Sequence, residues 1–196
     1  LDYATLSAIH PGLIYCSITG YGQTGDYKDK AGHDINYVAL SGIAGHSGRK
    51  VSGPPALGIQ VADIAGGSMH AMIAILAAVI ERQKSGLGQY IDISMTDCVA
   101  SLNSMAAAAS LAGAPQRVES ELLNGGCFYD YYRTKDDRYL SIGSLEPQFM
   151  LGLAEALALP IVAEKAASTA TEDRAAVKQA IAAVIEQHDL VYWQSY

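Results

Sequence analysis

The chain has 196 residues, 50% of them hydrophobic and 17% charged, which supplies a sizeable core and excludes a disordered or coiled-coil chain. Twenty acidic against thirteen basic residues give a formal charge of −7, and no Lys/Arg cluster occurs, so no nucleic acid partner is expected. The three scattered cysteines, Cys16, Cys98 and Cys127, form neither a disulfide framework nor a CxxC metal site, and they suit a reducing cytoplasm.

The sequence opens LDYATLSAIHPG, with no initiator Met and no basic-then-apolar signal, and ends VYWQSY within a helical stretch. Both ends read as cut, so a fragment is expected. No apolar run approaches the roughly 20 residues that span a bilayer, and no membrane partner is expected.

A short helix closes at Pro11-Gly12, and LIYCSIT (13–19) is the β-rich apolar run of a buried strand. GYGQTGDYKDKAGHD is Gly-rich, polar and therefore loop. From Asp34 the residues Ile35, Val38, Ala39 and Ile43 recur at helical spacing, and residues 45–58 return to loop. A long apolar helix over 64–83 follows, with Asp63 at its start and a Gly66-Gly67 pair just inside. Arg82 and Lys84 suit the dipole of its last turn, and Gly86 and Gly88 stop it.

YIDISM (90–95) alternates as a strand. TDCVASLNSMAAAASLAG reads as one helix capped by Thr96 or Asp97. Helices interleaved with buried strands make residues 1–112 an α/β layer, here part of a large domain. Residues 113–126 form a linker. A small α+β domain occupies 127–196: a hairpin with strands at 127–133 and 138–143, a helix at 147–158, a polar break and a helix at 171–187.

Gly20-Tyr-Gly22-Gln-Thr-Gly25 matches the GxGxxG dinucleotide fingerprint and follows a strand, but polar, lysine-rich sequence follows where an apolar helix must. No second strand ends in an acid about 20 residues on. A Gly-rich active-site loop is the better reading. His33 follows this loop at a helix start and has Tyr37 one turn further on. It is either a surface or capping residue or a base that exchanges a proton near neutral pH.

Asp63 has two readings as well: an N-cap for the long helix, or a fixed carboxylate beside a Gly-Gly pair that admits a ligand, acting as acid/base or nucleophile. Glu146 precedes Pro147 and is an N-cap or a carboxylate that orients a histidine. Asp92, Asp97, Glu81 and Arg82 are read as structural, and Cys98 as a buried small hydrophobe.

ITGYGQTG, AGHDINYVALSG, QVADIAGG and ILAAVIERQKSGLGQYIDISMTD, in that order, resemble the family III CoA-transferases (CaiB/BaiF). GGCFYDYYRTKDDRYLSIGSLEPQF resembles the α-methylacyl-CoA racemase branch. Two positions depart from the pattern: Cys127 stands where relatives usually have proline, and KDDR replaces the commoner DGR turn.

The resemblance implies a Rossmann-like α/β large domain, a small α+β domain and an interlocked homodimer acting on acyl-CoA. It assigns His33 and Asp63 as the catalytic acid/base pair and Glu146 as the carboxylate beside His33. It places the backbone amide of Asp34 on the thioester oxygen and Tyr37 beside the site. Gly66 and Gly67 join them as substrate-binding candidates. No metal and no cofactor other than the coenzyme A of the substrate is implied, and the family's first βαβ portion, with its basic grip on the CoA nucleotide, is not among these 196 residues.

The expected activity is inversion of the α-carbon of a 2-methylacyl-CoA by two-base proton transfer. The alternatives are CoA transfer between carboxylic acids through a covalent Asp63 intermediate, and a non-catalytic fragment or dimerisation module.

Overall fold

A computed structural model describes residues 1–114, 117–119 and 123–195. The chain divides into two compact units, one formed by Leu1–His46 and Pro54–Pro115, the other by Ser47–Gly53 and Gln116–Tyr196. The expected boundary in the linker at 113–126 therefore misses one feature, because the loop Ser47–Gly53 belongs with the second unit. The linker itself includes Pro115, Gln116 and residues 120–122, which lie outside the described residues.

In the first unit, α1 (Tyr3–Ile9) leads to β1 (Tyr15–Thr19), and α2 (Asp34–Leu40) and α3 (Ile43–His46) follow the Gly-rich loop. The helix α4 runs continuously over Ala62–Ser85 and delivers the chain to β2 (Tyr90–Ser94). The two strands pair in parallel, Tyr15 opposite Tyr90 and Thr19 opposite Ser94, as a helical crossover allows. The C-terminal end of α4 is held as its residues require. Gly86 takes φ 74°, a left-handed cap, and Arg82 donates to the Gly12 carbonyl at 3.1 Å.

Two expectations about α4 are corrected. It starts at Ala62, and its first eight residues, Ala62–Met69, are wound as a π-helix. Its 24 residues are also long and apolar enough to cross a membrane by length and composition, contrary to the reading of apolar runs. The same helix buries Ala62, Ala71 and Ala78, with Ile73, Leu76 and Ile80 exposed.

The single helix expected after β2 is two, α5 (Met95–Leu102) and α6 (Ser104–Leu111). They break at Asn103, whose side chain is turned to other work: its amide donates to the Ser41 carbonyl at 3.1 Å and its oxygen meets His46 Nε2 at 2.9 Å. Nor do Thr96 or Asp97 cap α5. Ser94 does, accepting from the Asp97 N–H, and the Thr96 hydroxyl donates to the Gly20 carbonyl at 2.7 Å. The fully buried residue of α5 is Val99, beside a half-buried Cys98.

In the second unit β3 (Tyr129–Arg133) and β4 (Tyr139–Gly143) form an antiparallel hairpin, Tyr131 opposite Ser141. Alternation turns Asp130 and Tyr132 inward and Tyr129 and Tyr131 outward. Four helices follow: α7 (Pro147–Ala156), α8 (Pro160–Glu164), α9 (Thr171–Ile185) and α10 (Leu190–Trp193). Val162, Val177, Ile181 and Ile185 are the sealed centre of this core.

The inward carboxylate of Asp130 is paired with Arg49, from the loop Ser47–Gly53, and with Lys178 of α9 at 2.7 Å. Burial pushes its carboxyl up. The hydrogen bonds from Lys178, the Tyr131 N–H and Arg49 outweigh that and hold it below the ordinary carboxylate value. Through Arg49 this pairing ties the loop Ser47–Gly53 to the second unit.

Candidate active site

Packing of the Gly-rich loop sets where His33 lies. Gln23 N–H donates to the Asp92 carboxylate of β2 at 2.8 Å, which pins the loop to the sheet. Tyr21 stands between Tyr27 and Tyr37, with ring centroids 5.3 and 5.1 Å apart. The Tyr37 ring occupies the space that a side chain at Gly20 or Gly32 would need, since a Cβ there would lie 2.4 or 2.7 Å from it. Its hydroxyl donates to the Gly32 carbonyl at 2.6 Å. Burial, with Tyr21, Asp63 and Asp34 adding to it, pushes the Tyr37 phenol up, so it stays a donor. These glycines serve tyrosine packing.

The clamp at Gly32 places His33 at the N-cap of α2 in extended conformation. The His33 N–H donates to Asn36 Oδ1 at 3.0 Å, and the His33 carbonyl accepts from Asn36 N–H at 2.8 Å, which fixes the backbone and leaves the imidazole exposed. The next residue, Asp34, turns its carboxylate across to α4. Its Oδ1 accepts from the N–H of Ala62 at 2.5 Å and of Asp63 at 2.9 Å.

That contact corrects the capping reading of Asp63. The start of α4 is capped from outside by Asp34, and Asp63 is the second residue of the helix, half-buried. Among the described residues no hydrogen bond uses the Asp63 carboxylate.

His33, Asp34 and Asp63 line one cavity of about 320 Å³. Ile35 and Val38 of α2 complete one wall. Pro55, Ala56, Leu57, Ile59 and Gln60 supply the rest. Only Gln60 of this last stretch belongs to a motif, QVADIAGG, and residues 45–58 read from sequence only as loop. Two helix starts thus meet at the cavity, and they differ. The first two N–H groups of α4 are taken by Asp34, whereas the Asp34 N–H, at the first position of α2, has no partner within its own helix.

Four other candidate residues lie differently. Gly66 and Gly67 are buried against α5 and β1: a Cβ on Gly66 would meet Val99 Cγ2 at 2.6 Å, and one on Gly67 the Met95 side chain at 3.1 Å and Ile18 at 3.3 Å. Their smallness admits a helix and a strand, so neither lines the cavity. Tyr37 is buried beneath α2, with its hydroxyl spent on Gly32. Glu146 belongs to the second unit, where it is the N-cap of α7, exposed, with its carbonyl accepting from Phe149 and Met150 N–H. No group of three or more His, Cys, Asp or Glu that could hold a metal ion occurs among the described residues.

Fold and cavity together define a mixed α/β protein whose histidine and carboxylate are presented from two adjoining helix starts. CoA-transferase family III matches the chain over residues 1–196, and the chain belongs to that family. It is 39% identical to the alpha-methylacyl-CoA racemase of Mus musculus over 158 residues, 79% of this chain and 41% of that one. It is 34% identical to the succinyl-CoA:glutarate CoA-transferase of Homo sapiens over 161 residues, 82% of this chain and 36% of that one. A CAIB/BAIF family protein from Brucella suis superposes with a TM-score of 0.75 at 29% identity, covering all of this chain and 52% of that one. The chain therefore spans about two-fifths of the length of these curated relatives.

Proposed function

We propose that this chain supplies the acid–base centre of a racemase acting α to a CoA thioester. The observation that carries the reading is the placement of His33 and Asp63 on one cavity, each held at the start of a different helix. Inverting a carbon needs a group on each face. One takes the α-hydrogen as a proton, and the bonding electron pair moves into the thioester carbonyl to give a planar enolate. The other group, in its protonated form, returns a proton to the opposite face. Neutral His33 with protonated Asp63 runs one direction, and imidazolium His33 with Asp63 carboxylate runs the other. The two residues exchange protonation state at each turnover.

The negative charge on the enolate oxygen needs donors fixed beforehand. The Asp34 N–H, free of any helical partner, is the donor this reading assigns to it. An alkyl acyl chain suits the apolar wall of Ile35, Leu57 and Ile59, all well exposed to the cavity side or solvent. Glu146 enters on the family resemblance as the carboxylate that orients His33, and so does assembly as a homodimer. The chemistry itself requires neither metal nor redox group.

A second reading has one observation in its favour. The Asp63 carboxylate caps no helix and accepts no described hydrogen bond, which leaves it available as the nucleophile of a CoA-transferase. His33 then has no task.

Incubation of the full-length protein with a 2-methylacyl-CoA in D2O separates the two. Deuterium entering the α-position with loss of optical purity supports the racemase. Movement of CoA to an added carboxylate without exchange, with a hydroxylamine-sensitive adduct on Asp63, supports the transferase.

A further inference from the structure

We infer that the Asp34 carboxylate is a positioning residue: it joins the helix that presents His33 to the helix that presents Asp63 and sets the spacing of the two. The inference rests on the acid–base reading above. Asp34 is covalently next to His33, and its Oδ1 accepts from Ala62 N–H at 2.5 Å and Asp63 N–H at 2.9 Å. These are the first two N–H groups of α4, which have no acceptor within that helix. A charged acceptor shared by two amides makes a stronger contact than neutral partners would.

The packing around the contact leaves little slack. Ala62 is fully buried, and Gly66, one turn on, lies against Val99. On the other side Tyr37 anchors α2 through Gly32. The carboxylate is thus a direct polar link between two helix starts that also share one apolar cluster, Tyr37, Val38, Ala62 and Val99. A two-base inversion is demanding in this respect, because both groups must reach one carbon from opposite sides. A misplacement of about 1 Å costs on the order of 100-fold in rate.

The test uses full-length protein, both enantiomers of a 2-methylacyl-CoA and two variants, Asp34→Ala and Asp34→Asn. Asp34→Ala is expected to lower kcat for α-hydrogen exchange about 100-fold from either enantiomer with KM little changed, and to lose amide protection across residues 57–69 in hydrogen exchange. Asp34→Asn keeps an acceptor oxygen and is expected to recover most of both losses.

Unchanged kcat in Asp34→Ala despite lost protection overturns the positioning role, and unchanged protection overturns the clamp. A loss of about 100-fold in kcat in Asp34→Asn relative to wild type also overturns the inference, and this comparison stands even where the alanine variant fails to fold. A wild type that exchanges no α-hydrogen overturns the acid–base reading and the kinetic half of the inference with it, while amide protection still decides the clamp.

Discussion

Asp34 Oδ1 accepts the backbone N–H of Asp63 at 2.9 Å, and the same oxygen accepts that of Ala62. A residue adjoining the candidate base at the start of α2 thus caps the helix that carries the candidate acid. The cap of α4 comes from 28 residues upstream, which frees the Asp63 carboxylate from the capping role its position suggests. Site and scaffold meet in that one contact.

Gly66 tests the packing beneath it. A Cβ there would lie 2.6 Å from Val99 Cγ2 and 2.9 Å from the Met95 carbonyl, and a backbone atom cannot swing aside. Gly66→Ala is expected to lower stability by about 1–3 kcal/mol, the usual cost of overpacking a core. Gly45→Ala, where a Cβ meets nothing within 4 Å, is the control and is expected to change little. Denaturant midpoints of the two variants check this.

Tyr37→Phe removes the hydroxyl that donates to Gly32 at 2.6 Å. The expected cost is about 1–2 kcal/mol, because a partly buried carbonyl loses its donor. KM for the thioester is expected to stay within about 2-fold, since the ring remains to pack Gly20 and Gly32 and the hydroxyl contacts no substrate in this account. A large rise in KM with unchanged stability would return Tyr37 to the substrate site.

Asp130 gives a pH dependence with a definite sign. Its folded carboxyl titrates below the ordinary value, so the stability it contributes is present above the unfolded pKa of about 3.9 and is lost as pH falls through the lower folded value. Wild type is expected to lose stability below about pH 4. Asp130→Asn is expected to cost about 2 kcal/mol at pH 7, at the lower side for a broken buried pair because Arg49 and Lys178 each keep 34% of their side chains in solvent, and to flatten that acid limb. Denaturant titrations at neutral and acidic pH measure both.

Much of the fold is legible in local pattern. The strands at 15–19, 90–94, 129–133 and 139–143 lie within their alternating or apolar runs, and α2 starts at the polar pair His33-Asp34 as its period indicates. The failures are nonlocal. Nothing near Asn103 announces a helix break, because its partners Ser41 and His46 are about 60 residues away in sequence. Ser94, Thr96 and Asp97 are three plausible caps for α5, and only the Gly20 carbonyl, brought close by the strand pairing, decides that Thr96 is engaged elsewhere. The helices α8 and α10 have five and four residues, too few turns for a period, and each is held by one deeply buried side chain, Val162 or Trp193.

The site divides in the same way. His33 and Asp63 stand out in the sequence by residue type and motif, and the structure puts both on one cavity. The role of Gly66-Gly67 is not legible in the same way, since smallness in a sequence does not say whether a ligand or a helix fills the room, and here α5 and β1 do. The apolar wall of Pro55, Leu57 and Ile59 was missed, since an irregular segment has no period to expose its facing residues.

The acid–base reading puts His33 and Asp63 on opposite faces of one carbon. The direct measurement is initial-rate α-deuterium wash-in from each pure enantiomer of a 2-methylacyl-CoA, for full-length wild type, His33→Ala and Asp63→Asn. Wild type is expected to exchange both. Each variant is expected to lose wash-in mainly from one enantiomer, and the two variants from opposite ones, because each base abstracts from one face. Equal and mild losses from both enantiomers in both variants would show that His33 and Asp63 do not serve opposite faces.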